Sequence, residues 1–175
     1  KKLDNAKVEQ LSRLYKGLLQ SDSQLIFCGV GKSGLVGQKM ASTFTSLGLS
    51  SFFLHPVEAL HGDLGRVRSG DAIVFISKSG TAEEIQKLIP FLDIPPSRRI
   101  GLTGNLNSPL AKECEINFDC SVKKEACLNN QAPTTSTTLA LAMGDAMAVL
   151  FEHITGLTKE GFAVNHPGGI LGKSL

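Results

Sequence analysis

Residues 71–85 read DAIVFISKSGTAEEI. The stretch DAIVFIS (71–77) is almost continuously apolar and rich in β-branched and aromatic residues. Such a run without polar alternation predicts a strand covered on both faces. Ser69-Gly70 supplies the turn into it. Beyond the polar KSGT, residues Ile85, Leu88, Ile89 and Leu92 recur at helical spacing, so a helix follows. A buried strand that passes through a short polar turn into a helix is half of a βαβ unit.

Working outward, the same pattern repeats on both sides. QLIFCGV (24–30) is a buried strand, followed by the turn GKSG (31–34) and a helix carrying Val36, Met40, Phe44 and Leu47 to a stop at Gly48. SSFFL (50–54), RRIGLT (98–103) and EINFDC (115–120) are three further strands. Helices are expected over 4–19, where Val8, Leu11, Leu14, Tyr15 and Leu18 share a face, near 108–113, and over 134–155 after Pro133. Pro95-Pro96 breaks the chain, and the Gly-rich tail 156–175 reads mostly as loop. Strands alternating with helices predict an α/β fold: a three-layer αβα sandwich around a central, mostly parallel, five-stranded sheet. At 175 residues the chain is expected to form one domain, 1–175.

Sheets of this kind take ligands in the crevice at the carboxyl ends of their strands. The segments 31–34 and 77–81 both fall at that edge. In SKSGT (77–81), Ser77, Ser79 and Thr81 supply hydroxyls, Gly80 allows close backbone approach, and Lys78 adds a charge. One such hydroxyl before a helix is an ordinary N-cap. The set of them with a glycine, at the end of a buried strand, points to a phosphate held at a helix start. GVGKSG (29–34) is a related turn. It lacks the GxxxxGK[ST] spacing of a P-loop, and no acidic residue stands about 20 positions on, at 51–54, as a dinucleotide fingerprint requires.

Charge and composition argue against other classes. The balance of 18 basic and 16 acidic residues, with no basic run beyond Lys123-Lys124, gives no footprint for nucleic acid. No apolar run approaches the roughly 18 residues of a membrane span. The polar start KKLDNAKVEQ does not read as a signal peptide. Four cysteines without CxxC spacing suggest reduced thiols and a cytoplasmic setting. His55, His61 and His166 show no metal-ligand spacing, so no metal is expected.

Taken together, GVGKSG (29–34), SFFLHPVEALHGDLG (51–65), SKSGTAEEI (77–85), KKEAC (123–127), APTTSTTLALAMGDAMAV (132–149) and NHPGGILGKSL (165–175) resemble the sugar isomerase (SIS) domain family. HGDLG, KEAC and HPGG at these separations resemble its arabinose-5-phosphate isomerase branch, which serves outer-membrane and capsule polysaccharide biosynthesis. The resemblance spans nearly the whole chain. It implies catalytic roles for Lys32, His61, Glu84, Glu125 and His166. It implies substrate contacts at Gly31, Ser33, Ser77, Lys78, Ser79, Gly80 and Thr81. It further implies a sugar-phosphate ligand, no cofactor, and a homotetramer whose active sites are shared between subunits. Many relatives carry CBS modules beyond the position of Leu175. The chain departs from the family at Leu35, where His is usual. It departs again at Lys78, Thr81 and Ala82, where Asn, Glu and a further hydroxyl are usual.

Aldose–ketose isomerisation needs a base for a carbon-bound proton, an acid–base partner for the oxygens, and a stabiliser for the enediolate. Glu125, if partly desolvated, is the expected carbon base, with His166 as its rival or as the oxygen-to-oxygen shuttle. Lys32 suits the enediolate or the phosphate, and His61 assists. Glu84 has the weakest case, since a carboxylate in a first helical turn is favoured by the dipole alone. A module that binds a phosphosugar without turnover is the alternative expectation, as is an isomerase of a related sugar phosphate. Asp145, in an apolar helix, is either a buried partner or a subunit contact.

Overall fold

Alternation along the strands decides which helices cover which face. The computed structural model describes residues 4–168. Five strands, β1 (Leu25–Gly29), β2 (Ser51–Leu54), β3 (Ala72–Ser77), β4 (Arg99–Thr103) and β5 (Ile116–Asp119), form one sheet in the order β2-β1-β3-β4-β5. All four pairings are parallel, with Phe27 beside Val74 on one side and beside Phe53 on the other.

On one face Leu25, Phe27, Val74, Ile76, Ile100 and Leu102 meet α1 (Asn5–Gln20), α2 (Gly31–Ser46) and α6 (Thr135–Thr155). Successive side chains on a strand point to opposite faces. Ile26, Cys28, Ile73 and Phe75 therefore meet α3 (Pro56–Leu60), α4 (Glu83–Leu88) and α5 (Pro109–Lys112) on the other. The result is the expected αβα sandwich. Burial of each such side chain contributes about 1.5–3 kcal/mol. The first face has an aromatic centre: Tyr15 meets Phe151 edge-on at 5.5 Å and Phe44 at 5.8 Å. Gly144 lets α6 close on α2, since a Cβ there would lie 2.5 Å from the Met40 side chain.

Several local expectations are corrected. The segment 31–34 is the first turn of α2, not a loop before it. α3 was unforeseen because five residues are too few to show a period. It starts on Pro56, and the His55 imidazole caps it by accepting from the Val57 N–H. The tail contains α7 (Lys159–Val164), capped by Thr158. α6 spans 21 residues at a mean hydropathy of 1.2, long and apolar enough to cross a membrane by those measures. Its apolarity comes from interspersed Ala, Leu and Met rather than an unbroken run, and it packs on α1 and α2. Of the segment NHPGGILGKSL (165–175), residues 169–175 lie outside the described residues. The cysteines are free thiols; burial pushes Cys114 up to about 12 and raises Cys28 as well.

Candidate active site

β1 and β3 are neighbours, but their helices leave in opposite directions, α2 to one face and α4 to the other. The crevice of such a sheet opens at this divergence, at the strands' carboxyl ends. On its α2 side, Gly31 turns the chain with φ +58°, Lys32 is exposed and Ser33 is half-buried. Gly29 and Gly34 let the helix start lie against β1: a Cβ on Gly34 would sit 3.0 Å from the Gly29 carbonyl oxygen.

On the β3 side the loop 78–82 is tied by its own hydroxyls. Ser77 Oγ accepts from the Gly80 N–H at 3.1 Å. Ser79 Oγ accepts from the Thr81 N–H at 3.2 Å and from the Thr81 hydroxyl at 2.9 Å. This corrects the expectation that the serine motif opens a helix directly. α4 begins only at Glu83, with Ala82 as an N-cap that offers no side-chain bond. Gly80 is needed for two reasons. Its φ is +69°, and a Cβ there would lie 2.1 Å from Ser108 Oγ and 2.9 Å from Thr103 Oγ1. The close approach is thus to the loop after β4 as well as toward the crevice.

Glu125 stands in the segment between β5 and α6, which folds back over the crevice. Its side chain is fully buried, with Lys123 and Lys124 turned out to solvent. The Lys78 ammonium donates to Oε1 at 2.6 Å, and the Ser136 hydroxyl to the same oxygen at 2.5 Å. Oε2 accepts from the Thr134 N–H at 2.9 Å, the Ser136 N–H at 3.1 Å and the Thr134 hydroxyl at 3.3 Å. These donors, Lys78 foremost and then Ser136 and Thr134, hold the carboxyl well below the usual carboxylate range against the opposing effect of burial. The expectation that desolvation makes Glu125 a ready base is therefore corrected. Burial comes with a full set of donors, and donors to the charged form win. Ser136 and Thr134 were not singled out in the sequence, although the run TTSTT at a helix start is the signal for them. A cavity of about 50 Å³ adjoins this pair, lined by Ser33, Val36, Ile76, Lys78, Leu102 and Ser136 among others.

The remaining candidates are dispersed. Glu84 is half-buried in the first turn of α4, and His61 is exposed at the end of α3, which packs beside α4. His166 lies just beyond α7, stacked on Phe162 at 4.0 Å with Nδ1 against the Phe162 carbonyl at 2.8 Å. Its neighbour Asn165 donates to the carbonyl of Ser46, the last residue of α2. Helix α2 is about 24 Å long at 1.5 Å per residue. Within one chain, then, His166 is a helix length away from Ser33 and the crevice. No three His, Cys, Asp or Glu side chains among the described residues are grouped to hold a metal. Asp145 is half-exposed and pairs with Lys39, joining α6 to α2.

The architecture and crevice define a doubly covered parallel α/β domain with a hydroxyl-rich loop at its topological switch. Residues 18–150 match the family model described as the SIS domain, and the chain belongs to that family. It is 47% identical over 158 residues to arabinose 5-phosphate isomerase KdsD of Pseudomonas aeruginosa, covering 90% of this chain and 48% of that protein. It is 43% identical over 175 residues to arabinose 5-phosphate isomerase KpsF of Escherichia coli, covering 100% of this chain and 53% of that protein. The chain thus spans about half the length of these relatives. Among solved structures, an Escherichia coli CFT073 protein in complex with arabinose 5-phosphate is similar at a TM-score of 0.81 and 36% identity. That match covers 91% of this chain and 85% of that one.

Proposed function

We propose that this chain interconverts D-arabinose 5-phosphate and D-ribulose 5-phosphate through a cis-enediol, without a cofactor. The observation that carries the reading is the meeting of the 77–81 hydroxyl loop with the buried Glu125 carboxylate at one crevice, joined by Lys78. The names of the two isomerase relatives and the sugar-phosphate complex of the similar structure support the choice of sugar. The loop holds the phosphate, and Glu125 takes the proton from C2 of the aldose while O1 gains one, giving the enediol. Loss of the O2 proton and return of a proton to C1 complete the ketose. Lys32, at the start of α2, stabilises the enediolate.

His166 and His61 serve as acid–base partners delivered by neighbouring copies in a homotetramer. Two observations support this: the distance of His166 from its own crevice, and the open face of α6, where Ala142 and Val149 are exposed. The free thiols suit a cytoplasmic setting. The saturated state of Glu125 favours a second reading, a phosphosugar-binding module without turnover.

A proton NMR time course with arabinose 5-phosphate in deuterated buffer separates the two. Appearance of ribulose 5-phosphate with deuterium at C1, lost in Glu125→Gln with binding largely kept, is the expected result. Saturable binding without conversion would replace the isomerase with the binding module.

A further inference from the structure

The proposed isomerase reading leaves Lys78 with two anionic partners and one ammonium. We propose that Lys78 is a positioning residue that couples phosphate binding to Glu125. With no anion in the loop it closes on Glu125 Oε1; a phosphate dianion at residues 77–81 draws it away and leaves that oxygen open toward the crevice. The inference rests on the phosphosugar reading of the loop.

Three features carry it. Lys78 lies between Ser77 and Ser79, so its side chain starts inside the phosphate loop, while its backbone is fixed by its carbonyl accepting from the Gly104 N–H at 2.9 Å. Only the side chain is left to move, and it is 51% exposed whereas that of Glu125 is 0% exposed. An ammonium at the crevice surface is attracted more strongly by a dianion beside it than by a single carboxylate charge. Glu125 can release it because four other contacts remain: the Ser136 hydroxyl and N–H, and the Thr134 hydroxyl and N–H. The buried carboxylate is therefore not stranded, which is the condition under which breaking a buried pair becomes prohibitive.

The consequence for the reaction is that the base is freed only in the presence of the phosphate. Removal of the ammonium takes away the foremost of the groups that hold Glu125 in its unreactive, charge-saturated state. A sugar lacking phosphate would find the carboxylate still engaged.

Titrating wild-type protein with inorganic phosphate, while following the loop amides 77–81, the Lys78 Nζ signal and the Glu125 side-chain carboxyl carbon by NMR, tests the coupling. The expected result is that all three move with one midpoint. In Lys78→Gln, phosphate is expected to bind about tenfold more weakly, and the Glu125 signal to stop responding. Loop amides that shift while Glu125 and Lys78 stay still in the wild type would overturn the coupling and leave the phosphate loop standing. Loop amides that do not respond to phosphate at all would overturn the loop reading and the coupling with it.

Discussion

At the scale of single residues, the chemistry turns on one carboxylate. Glu125 is buried yet fully supplied with donors, so its carboxyl is held below the ordinary carboxylate range. A group whose folded pKa is depressed contributes stability above its unfolded value, about 4.3 for Glu, and loses that contribution as pH falls through the folded value. Wild type is therefore expected to be more stable than Glu125→Gln at neutral pH, with the difference shrinking as pH drops below about 4. Denaturant unfolding of both proteins across that range measures it. A difference that stays constant would mean that the carboxylate charge is not what the donors hold. The neighbouring charges Lys123 and Lys124 face solvent and do not enter this balance.

At the scale of elements, the loop after β3 depends on the loop after β4. Gly80 adopts φ +69° directly over Ser108 and Thr103, and Ser108 is itself held in place as the N-cap of α5, accepting from the Ala111 N–H at 3.3 Å. Gly80→Ala meets both a strained backbone and a side chain that cannot withdraw. It is expected to lower stability by about 1–3 kcal/mol and to weaken arabinose 5-phosphate binding. Calorimetry of unfolding and of binding reads the two effects separately. Unchanged affinity would show that the loop's shape is not what the ligand needs. The glycines of GVGKSG act differently. Gly29 and Gly34 permit α2 to seat on β1.

At the scale of the whole molecule, the proposed catalytic set is not assembled by one chain. Glu125 and Lys78 share a crevice, whereas His166 sits by the far end of α2. If neighbouring copies complete the site, Glu125→Gln and His166→Ala are each inactive alone. Refolding the two together restores activity, because some assembled sites contain an intact residue of each kind. Absence of recovery in a mixed oligomer, verified by mass, would return both residues to one chain. If such assembly uses the exposed apolar residues of α6, Val149, 63% exposed, is among those it covers. Substitution Val149→Glu is expected to shift the assembly toward smaller species in sedimentation.

The sequence by itself determined the sandwich. Buried strands such as 71–77 are legible because burial on both faces demands unbroken apolar runs, and the helices between them because one covered face demands a period. It also marked the crevice, since loop 77–81 follows such a strand, and the motif resemblance pointed to Glu125 and His166. Only the tertiary structure decided the state of those groups. The pairing of Lys78 with Glu125 joins residues 47 apart in sequence, and the Ser136 and Thr134 donors arrive from the start of a different helix. A carboxylate's protonation depends on which donors surround it in space, and no local pattern in the chain says which carboxylate a run such as TTSTT will meet. The separation of His166 from the crevice has the same origin: it is fixed by the length of α2 and by the bond from Asn165 to its last residue, Ser46, not by any spacing the sequence displays.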